Sequence, residues 1–188
     1  MEIGSPSMVF ILKGIRIGTG AKFIGIPFIY SFPDSKICIG KNVEIRSSKM
    51  SNFIGINRKT IISTQSKDAE IIIGNNCGMS GVVIGAKQSI IIGDNVMLGA
   101  NVLITDFDWH PVNSWERRDA SKAKSKPIKI EDNVFIGYSS TILKGTTIGE
   151  NSVIGANSVV TSNIPPNVIA GGNPCLVLRK LEIKTGLE

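Results

Sequence analysis

Residues 130–165 read, in sixes, IEDNVF, IGYSST, ILKGTT, IGENSV, IGANSV and VTSNIP. The first position is Ile130, Ile136, Ile142, Ile148, Ile154 and Val160, and the fifth is Val134, Ser140, Thr146, Ser152, Ser158 and Ile164. Chance would break such an aliphatic column quickly. A strand repeats every two residues and a helix every 3.6. A period of six, with one large aliphatic and one mostly small residue, fits neither alone. It fits a short strand plus a turn, repeated around a prism, with three hexads making one triangular coil of about 18 residues. The first-position aliphatics then stack in columns inside the prism. The fifth-position residues fill the space near its corners. Each coil pairs only with its neighbours, as in other solenoids.

Upstream the same frame reads IGDNVM from Ile92 and LGANVL from Leu98, then reaches Ile104. Further back come IGAKQS from Ile84, IGNNCG from Ile73, IGKNVE from Ile39 and IGTGAK from Ile17. The phase slips between these, so the N-terminal half is less regular. Gly93, Asn95, Asn101, Asn133, Asn151 and Asn157 fall at the turns, and both residue types tolerate positive φ. About six coils are expected, from near Ile17 to near Pro165. The composition agrees: among 188 residues there are 31 Ile, 8 Leu, 20 Gly and only 6% aromatics. That profile favours β structure with many tight turns over a helical bundle.

The repeat breaks strongly between Ile104 and Ile128, at TDFDWHPVNSWERRDASKAKSKP. This stretch holds the single His, His110, and both Trp, Trp109 and Trp115. A long excursion from a solenoid is where function usually sits. The rare residues concentrate where the structural repeat is absent.

The bulk numbers bound the function. One His excludes any metal centre built on several histidines within the chain. The net charge of +6 is moderate, and no zinc-finger spacing, basic helix or aromatic ribonucleoprotein pattern accompanies it. A solvated face or a site for a small polyanion is the expectation, not nucleic acid. Cys38, Cys77 and Cys175 lie far apart and form no CxxC pair, as for buried, reduced thiols. No signal-like segment and no apolar run long enough to span a bilayer is visible. A cytoplasmic protein without a transmembrane segment is expected. It forms one domain over 1–188, with coils over about 17–165, a loop at 105–127 and a C-terminal segment at 166–188.

The hexads, the DWHP of residues 108–111 at the break and the later VVTSNIPPNVIAGGNPCLVLRKL (159–181) resemble the hexapeptide-repeat acetyltransferases, most closely the sugar and polysaccharide O-acetyltransferases. The resemblance covers roughly residues 70–181. It implies an all-β fold, a left-handed parallel β-helix with one protruding loop and a short C-terminal extension. It implies transfer of an acetyl group from acetyl-CoA to a saccharide hydroxyl, in surface polysaccharide biosynthesis, with no metal. A hydroxyl is a poor nucleophile until its proton is removed, and a neutral imidazole can take that proton. His110 is the implied base. No Ser or Cys nucleophile motif stands out, so direct attack without a covalent enzyme intermediate follows.

Asp108 is the first choice to orient the imidazole, with Asp106 or a backbone carbonyl as alternatives. The resemblance places the oxyanion donor at the Tyr138 N–H, with Gly137 allowing close approach. It places the CoA arm beside Gly137, Tyr138, Ala156, Thr161 and Pro174. Arg179 and Lys180 would meet the CoA phosphates, although the family Arg three residues before Arg179 is Leu176 here. On the acceptor side, Met79 and Ser80 stand where relatives acting on simple sugars commonly carry Asn. Trp109 and Trp115 offer aromatic faces for a sugar, and Asp106 completes the expected acceptor contacts. The family implies a homotrimer with active sites between subunits. The alternatives are an acetyltransferase of the same fold acting on an antibiotic hydroxyl, and a non-catalytic β-helix scaffold. The γ-type carbonic anhydrases of this fold need three zinc-binding His per site, which one His per chain excludes. Serine acetyltransferase is not the expectation, because the residues before the first hexad do not read as the long helical domain typical of it.

Overall fold

The structure is a computed structural model and describes residues 14–182. Three sheets form the faces of a prism. Face A takes the strands Ile15–Ile17, Lys36–Ile39, Glu70–Ile73, Ser89–Ile92, Ile128–Ile130 and Thr147–Ile148. Face B begins with Lys22–Ile24, Glu44–Arg46 and Gly78–Ser80, continues through Met97–Leu98, Phe135–Ile136 and Val153–Ile154, and ends in Val168–Gly171 and Leu176–Lys180. Face C takes Phe28–Tyr30, Ile61–Thr64, Val83–Ala86, Leu103–Thr105, Thr141–Leu143 and Val159–Val160. Consecutive strands lie on different faces, and each pairs in parallel with its counterpart one coil on. The exception is the antiparallel pair of Val168–Gly171 with Leu176–Lys180 that ends face B.

The hexad anchors form the inner columns. On face A, Ile17, Ile39, Ile73, Ile92, Ile130 and Ile148 stand in register. On face C the column is Ile29, Ile62, Ile84, Ile104, Ile142 and Val160. Face B carries Phe23, Ile45, Met79, Leu98, Ile136, Ile154 and Ala170. Most of these are fully buried and form one continuous core. The excess of Ile has its cause here, because a pleated, fully buried position favours a β-branched aliphatic. The fifth-position residues 134, 140, 146, 152, 158 and 164 are all buried, at 0–3% exposure. Their hydroxyls turn back on the backbone, as Ser140 Oγ does to the Gly155 carbonyl at 2.9 Å and Ser152 Oγ to that of Pro165 at 2.8 Å.

The edge between faces A and B is an asparagine ladder. Asn42, Asn76, Asn95, Asn133, Asn151 and Asn167 all have φ between 55° and 60°. Each of the first five donates its amide to the next one up, at 2.8–3.3 Å. Asn is chosen because it tolerates the left-handed region and bonds both neighbours.

Two excursions leave the prism. The expected one runs from residue 106 to 127, between faces C and A. The second spans 47–60, between faces B and C, and the hexad reading did not separate it from the repeat. It is tied down by Asn101, whose Oδ1 accepts from Asn57 N at 3.1 Å and whose Nδ2 donates to the Gly55 carbonyl at 3.0 Å. Its tip presents Met50, Phe53 and Ile54 to solvent.

Candidate active site

The 106–127 loop is rooted by Asp106. This side chain is fully buried. Its Oδ1 accepts from Lys87 N at 2.7 Å, and its Oδ2 accepts from Gln88 N at 2.8 Å and Ser89 N at 2.7 Å. Burial pushes its carboxyl above the ordinary aspartate range, against the pull of those N–H donors. Asp106 therefore fastens the loop to the preceding coil and does not face an acceptor, which corrects its expected role. Phe107 pairs with Ser125 across the loop base, and Asp108 N donates to the Lys124 carbonyl at 2.9 Å. Lys87 Nζ reaches the carbonyls of Ala120 and Ala123 at 3.1 and 3.2 Å.

Asp108 is paired with Lys144 Nζ at 2.5 Å, both side chains being about three-quarters buried. The imidazole of His110 instead has its Nδ1 3.2 Å from the Arg117 carbonyl oxygen. Of the three groups considered for orienting the ring, the carbonyl is the one in contact. A carbonyl only accepts, so Nδ1 carries the proton and Nε2 presents a lone pair. Pro111 is buried while His110 is exposed, so the backbone is anchored directly after the ring. Arg117 Nη2 also donates to the Val112 carbonyl at 2.9 Å, which holds the acceptor carbonyl in place.

Trp109 is half exposed. Its ring stacks at a tilt on Phe107, with centroids 4.6 Å apart, and lies over Gly85 on face C. It anchors the loop on its own chain. Trp115 is exposed at 81%. Met79 belongs to the inner column of face B and is buried, so its expected acceptor contact is withdrawn. Ser80 is buried too, its Oγ accepting from Asn52 Nδ2 at 3.1 Å.

Tyr138, Ala156 and Pro174 assemble at the edge between faces B and C, whereas Arg179 and Lys180 pair with Ile169 and Val168 toward the edge between faces A and B. Tyr138 follows the strand Phe135–Ile136, and its N–H makes no hydrogen bond among the described residues. Its carbonyl accepts from Asn157 N at 2.8 Å, which stacks the exposed Ala156 on the next coil of the same edge. The turn that carries Pro174 is held there by Val159 N to the Gly172 carbonyl and Cys175 N to the Val159 carbonyl, at 2.9 and 2.8 Å. Gly137 is buried, and a Cβ on it would stand 2.6 Å from Ala156 N. Its bareness serves coil stacking, where access for a ligand was expected. Arg179 and Lys180 are exposed on the last strand of face B, Arg179 opposite Ile169.

Thr161 stands apart, past Val159–Val160 on the edge between faces C and A, the edge from which the His110 loop departs. Within one chain His110 and Tyr138 are not brought together. Their edges are separated by the width of face C, about 15 Å for the five steps from Tyr138 to Leu143. Sequence reasoning missed Lys87 and Lys144. The signal for Lys87 was the break in hexad phase after Ile84. Among the described residues no group of three or more side chains has the makings of a metal centre, and no helix is long and apolar enough to cross a membrane.

Comparison with known proteins adds to this geometry. Residues 71–106 and 127–162 match the model described as the hexapeptide repeat of succinyl-transferase, so the two matched blocks stop at the loop. The galactoside O-acetyltransferase of Escherichia coli (strain K12) is 48% identical over 117 residues, 62% of this chain and 57% of that protein. The chain spans about half the length of the curated relatives it matches. The crystal structure of a maltose O-acetyltransferase from Clostridium difficile 630 superposes with a TM-score of 0.59 at 31% identity, over 90% of this chain and 72% of that one. A hexapeptide-repeat acetyltransferase from Vibrio cholerae O1 biovar eltor, complexed with acetyl coenzyme A, superposes with a TM-score of 0.53 at 28% identity, over 88% of this chain and 73% of that one.

Proposed function

The chain belongs to the hexapeptide-repeat acetyltransferase family, and from that premise we propose that it transfers the acetyl group of acetyl-CoA to a hydroxyl of a saccharide. The observation that carries this reading is the imidazole of His110, fixed through Nδ1 to the Arg117 carbonyl with Nε2 left open. In the proposed step the saccharide hydroxyl gives its proton to Nε2 as its oxygen attacks the thioester carbonyl carbon. The oxyanion that forms is met by the Tyr138 N–H, which has no other partner among the described residues. Collapse breaks the carbon–sulfur bond, and the departing thiolate takes the proton back from the imidazolium. Acetyl ester and free CoA thiol result, so no metal and no covalent enzyme intermediate enter.

The CoA arm is assigned to the edge carrying Tyr138, Ala156 and Pro174, with Arg179 and Lys180 toward the phosphates. Thr161, on the opposite edge, is assigned to the neighbouring copy's CoA. Because His110 and Tyr138 lie on different edges, the site is assigned to two copies of the chain in a homotrimer, the loop of one reaching the edge of the next. The setting is cytoplasmic polysaccharide modification.

Thiol release from acetyl-CoA with a panel of saccharides tests the reaction. His110→Ala is expected to lower acceptor-dependent turnover by about 10²–10⁴-fold; undiminished turnover removes His110 as the base. Mixing His110→Ala with Ala156→Trp, which blocks the other edge, tests the shared site. Random assembly pairs an intact loop with an intact edge at about a quarter of the sites. Activity recovered to that level supports the two-copy arrangement, and none recovered places both groups on one chain.

A further inference from the structure

Several glycines of the prism are there because the next coil leaves no room. A Cβ on Gly18, Gly40, Gly74, Gly99, Gly137 or Gly149 would stand 2.4–2.8 Å from backbone atoms of the neighbouring coil. Gly85, in the face C strand Val83–Ala86, is different. Its backbone is not in the left-handed region, and the three nearest contacts of a Cβ there are all ring atoms of the 106–127 loop. They are Trp109 Cζ2 at 3.3 Å, and Phe107 Cε1 and Trp109 Cη2 at 3.8 Å. In the same outer row, Ser63 stands one coil before it and Thr105 one coil after. Coil stacking therefore does not call for glycine at this position. A glycine inside a strand is unfavourable beside a β-branched residue and marks close approach by another group. The group that approaches is the Trp109 ring.

That contact bears directly on the histidine. Phe107, under the same ring, is buried, and its carbonyl accepts from Thr105 Oγ1 at 3.1 Å. Asp108 is held by Lys144, one coil after the strand that leads into the loop, and Trp109 by Gly85, one coil before it. His110 follows at once, and the buried Pro111 comes after it. The ion pair and the ring thus clamp the chain to two coils just before the imidazole. The seat of Trp109 sets where the His110 backbone stands, and the Arg117 carbonyl, 3.2 Å from Nδ1, sets how the ring is turned. A side chain at position 85 lifts Trp109 and carries His110 with it. Misplacement of a reacting group by about 1 Å costs about a hundredfold in rate.

We propose that Gly85 is a positioning residue, the bare strand position that seats Trp109 and thereby places the His110 imidazole. The proposal rests on the acetyl-transfer reading above, in which His110 is the base. His110 is the single histidine of the chain, so imidazole nitrogen NMR reports on it whether or not transfer occurs. At a pH where the ring is neutral, the wild type should show Nδ1 protonated and Nε2 bare. Gly85→Val should show the mixed tautomers of a freely turning ring, with the melting temperature held or raised because Val suits a strand. Identical nitrogen spectra overturn the seat. In transfer to a saccharide, Gly85→Val should lower kcat by about tenfold to a hundredfold and leave KM for acetyl-CoA unchanged, with Gly85→Ala between; an unchanged kcat overturns the positioning role. Two crossed variants separate that role from a need of the coil itself. Gly85→Val added to Trp109→Ala should cost nothing further, and an equal cost in both backgrounds overturns the ring as the reason for the glycine. His110→Ala should cost less in Gly85→Val than in the wild type, and an undiminished loss overturns action through His110. A wild type that transfers no acetyl group, with a nitrogen spectrum that still changes in Gly85→Val, supports the seat and counts against the transfer reading instead.

Discussion

Replacing Asp106 by Ala separates a structural anchor from a group that meets substrate. The wild-type carboxylate is fully buried and accepts three backbone N–H bonds at 2.7–2.8 Å. Hydrogen bonds to a charged group contribute about 1.5–3 kcal/mol each, and an orphaned buried N–H costs about as much. The carboxylate has a desolvation cost, visible as the upward push on its pKa, and water entering the cavity recovers part of the loss. A net destabilisation of about 3–5 kcal/mol follows. For a chain of this size each kcal/mol moves Tm by about 2–4 °C, so a fall of about 6–20 °C is expected in a thermal melt at pH 7. Asp106→Asn keeps one acceptor oxygen and should fall between. Turnover per folded molecule, measured below both transitions, should drop less than for His110→Ala. A melting temperature within about 2 °C of wild type together with abolished turnover refutes the anchor and returns Asp106 to the substrate.

Asn133→Ala in the ladder loses two amide contacts, from Asn95 and to Asn151, and places Ala at φ 59°; a loss of about 2 kcal/mol by urea unfolding is expected. Asn133→Gly keeps the backbone freedom and should lose about half as much, and equal losses would show that φ contributes nothing. Lys144→Met strips Asp108 of its partner; kcat should fall about tenfold through a looser His110 loop, with KM for acetyl-CoA unchanged. Burial pushes the Cys77 thiol up to about 11 and raises that of Cys175, so at pH 8 alkylation should label the half-buried Cys38 alone, against all three in denaturant. The proton that native Cys77 retains contributes stability below the unfolded thiol's value of about 8.5, and this contribution is lost as pH rises through about 11. Cys77→Ala should lack that alkaline decline.

The inner columns were readable because one residue type recurs where one environment recurs. Every hexad anchor from Ile17 to Val160 lands in a column, and the register slips did not hide them. The 47–60 excursion was hidden by its own sequence: Ile54–Gly55 imitates the start of a hexad, yet Ile54 is 62% exposed and Ile56, at 4%, is the one that turns inward. Met79 was misread for the opposite reason. It stands in a first-position column, but a thioether among isoleucines does not look like one. Around the histidine, order along the chain carried no direction. Asp106 and Asp108 lie four and two residues before His110, and what separates them is which side chain turns under the coil. Their partners, residues 87–89 and Lys144, are distant in sequence, so the pairings follow from the stacking of coils.

A prism of this kind confines chemistry to its edges. Its interior is aliphatic, and among the described residues no buried side-chain polar atom lacks a partner. The edge between faces A and B is closed by the asparagine ladder, and carboxylates cap its free N–H groups, as Asp94 does for Asn75 at 2.6 Å and Asp132 for Asp94 at 2.9 Å. The edge between faces C and A carries the rooted loop with its open Nε2. The edge between faces B and C carries the Tyr138 N–H, unpartnered among the described residues, beside the turn assigned to CoA. The proposed base and the proposed oxyanion donor lie on edges separated by the width of face C, about 15 Å, whereas attack on one carbonyl requires reacting atoms about 3 Å from each. The loop is fastened to its own coils by Asp106, Lys87 and Lys144, so closing that gap by swinging it across face C would break all three anchors. In the proposed two-copy site, a second copy presenting its own edge to the loop would close the gap with none of them broken.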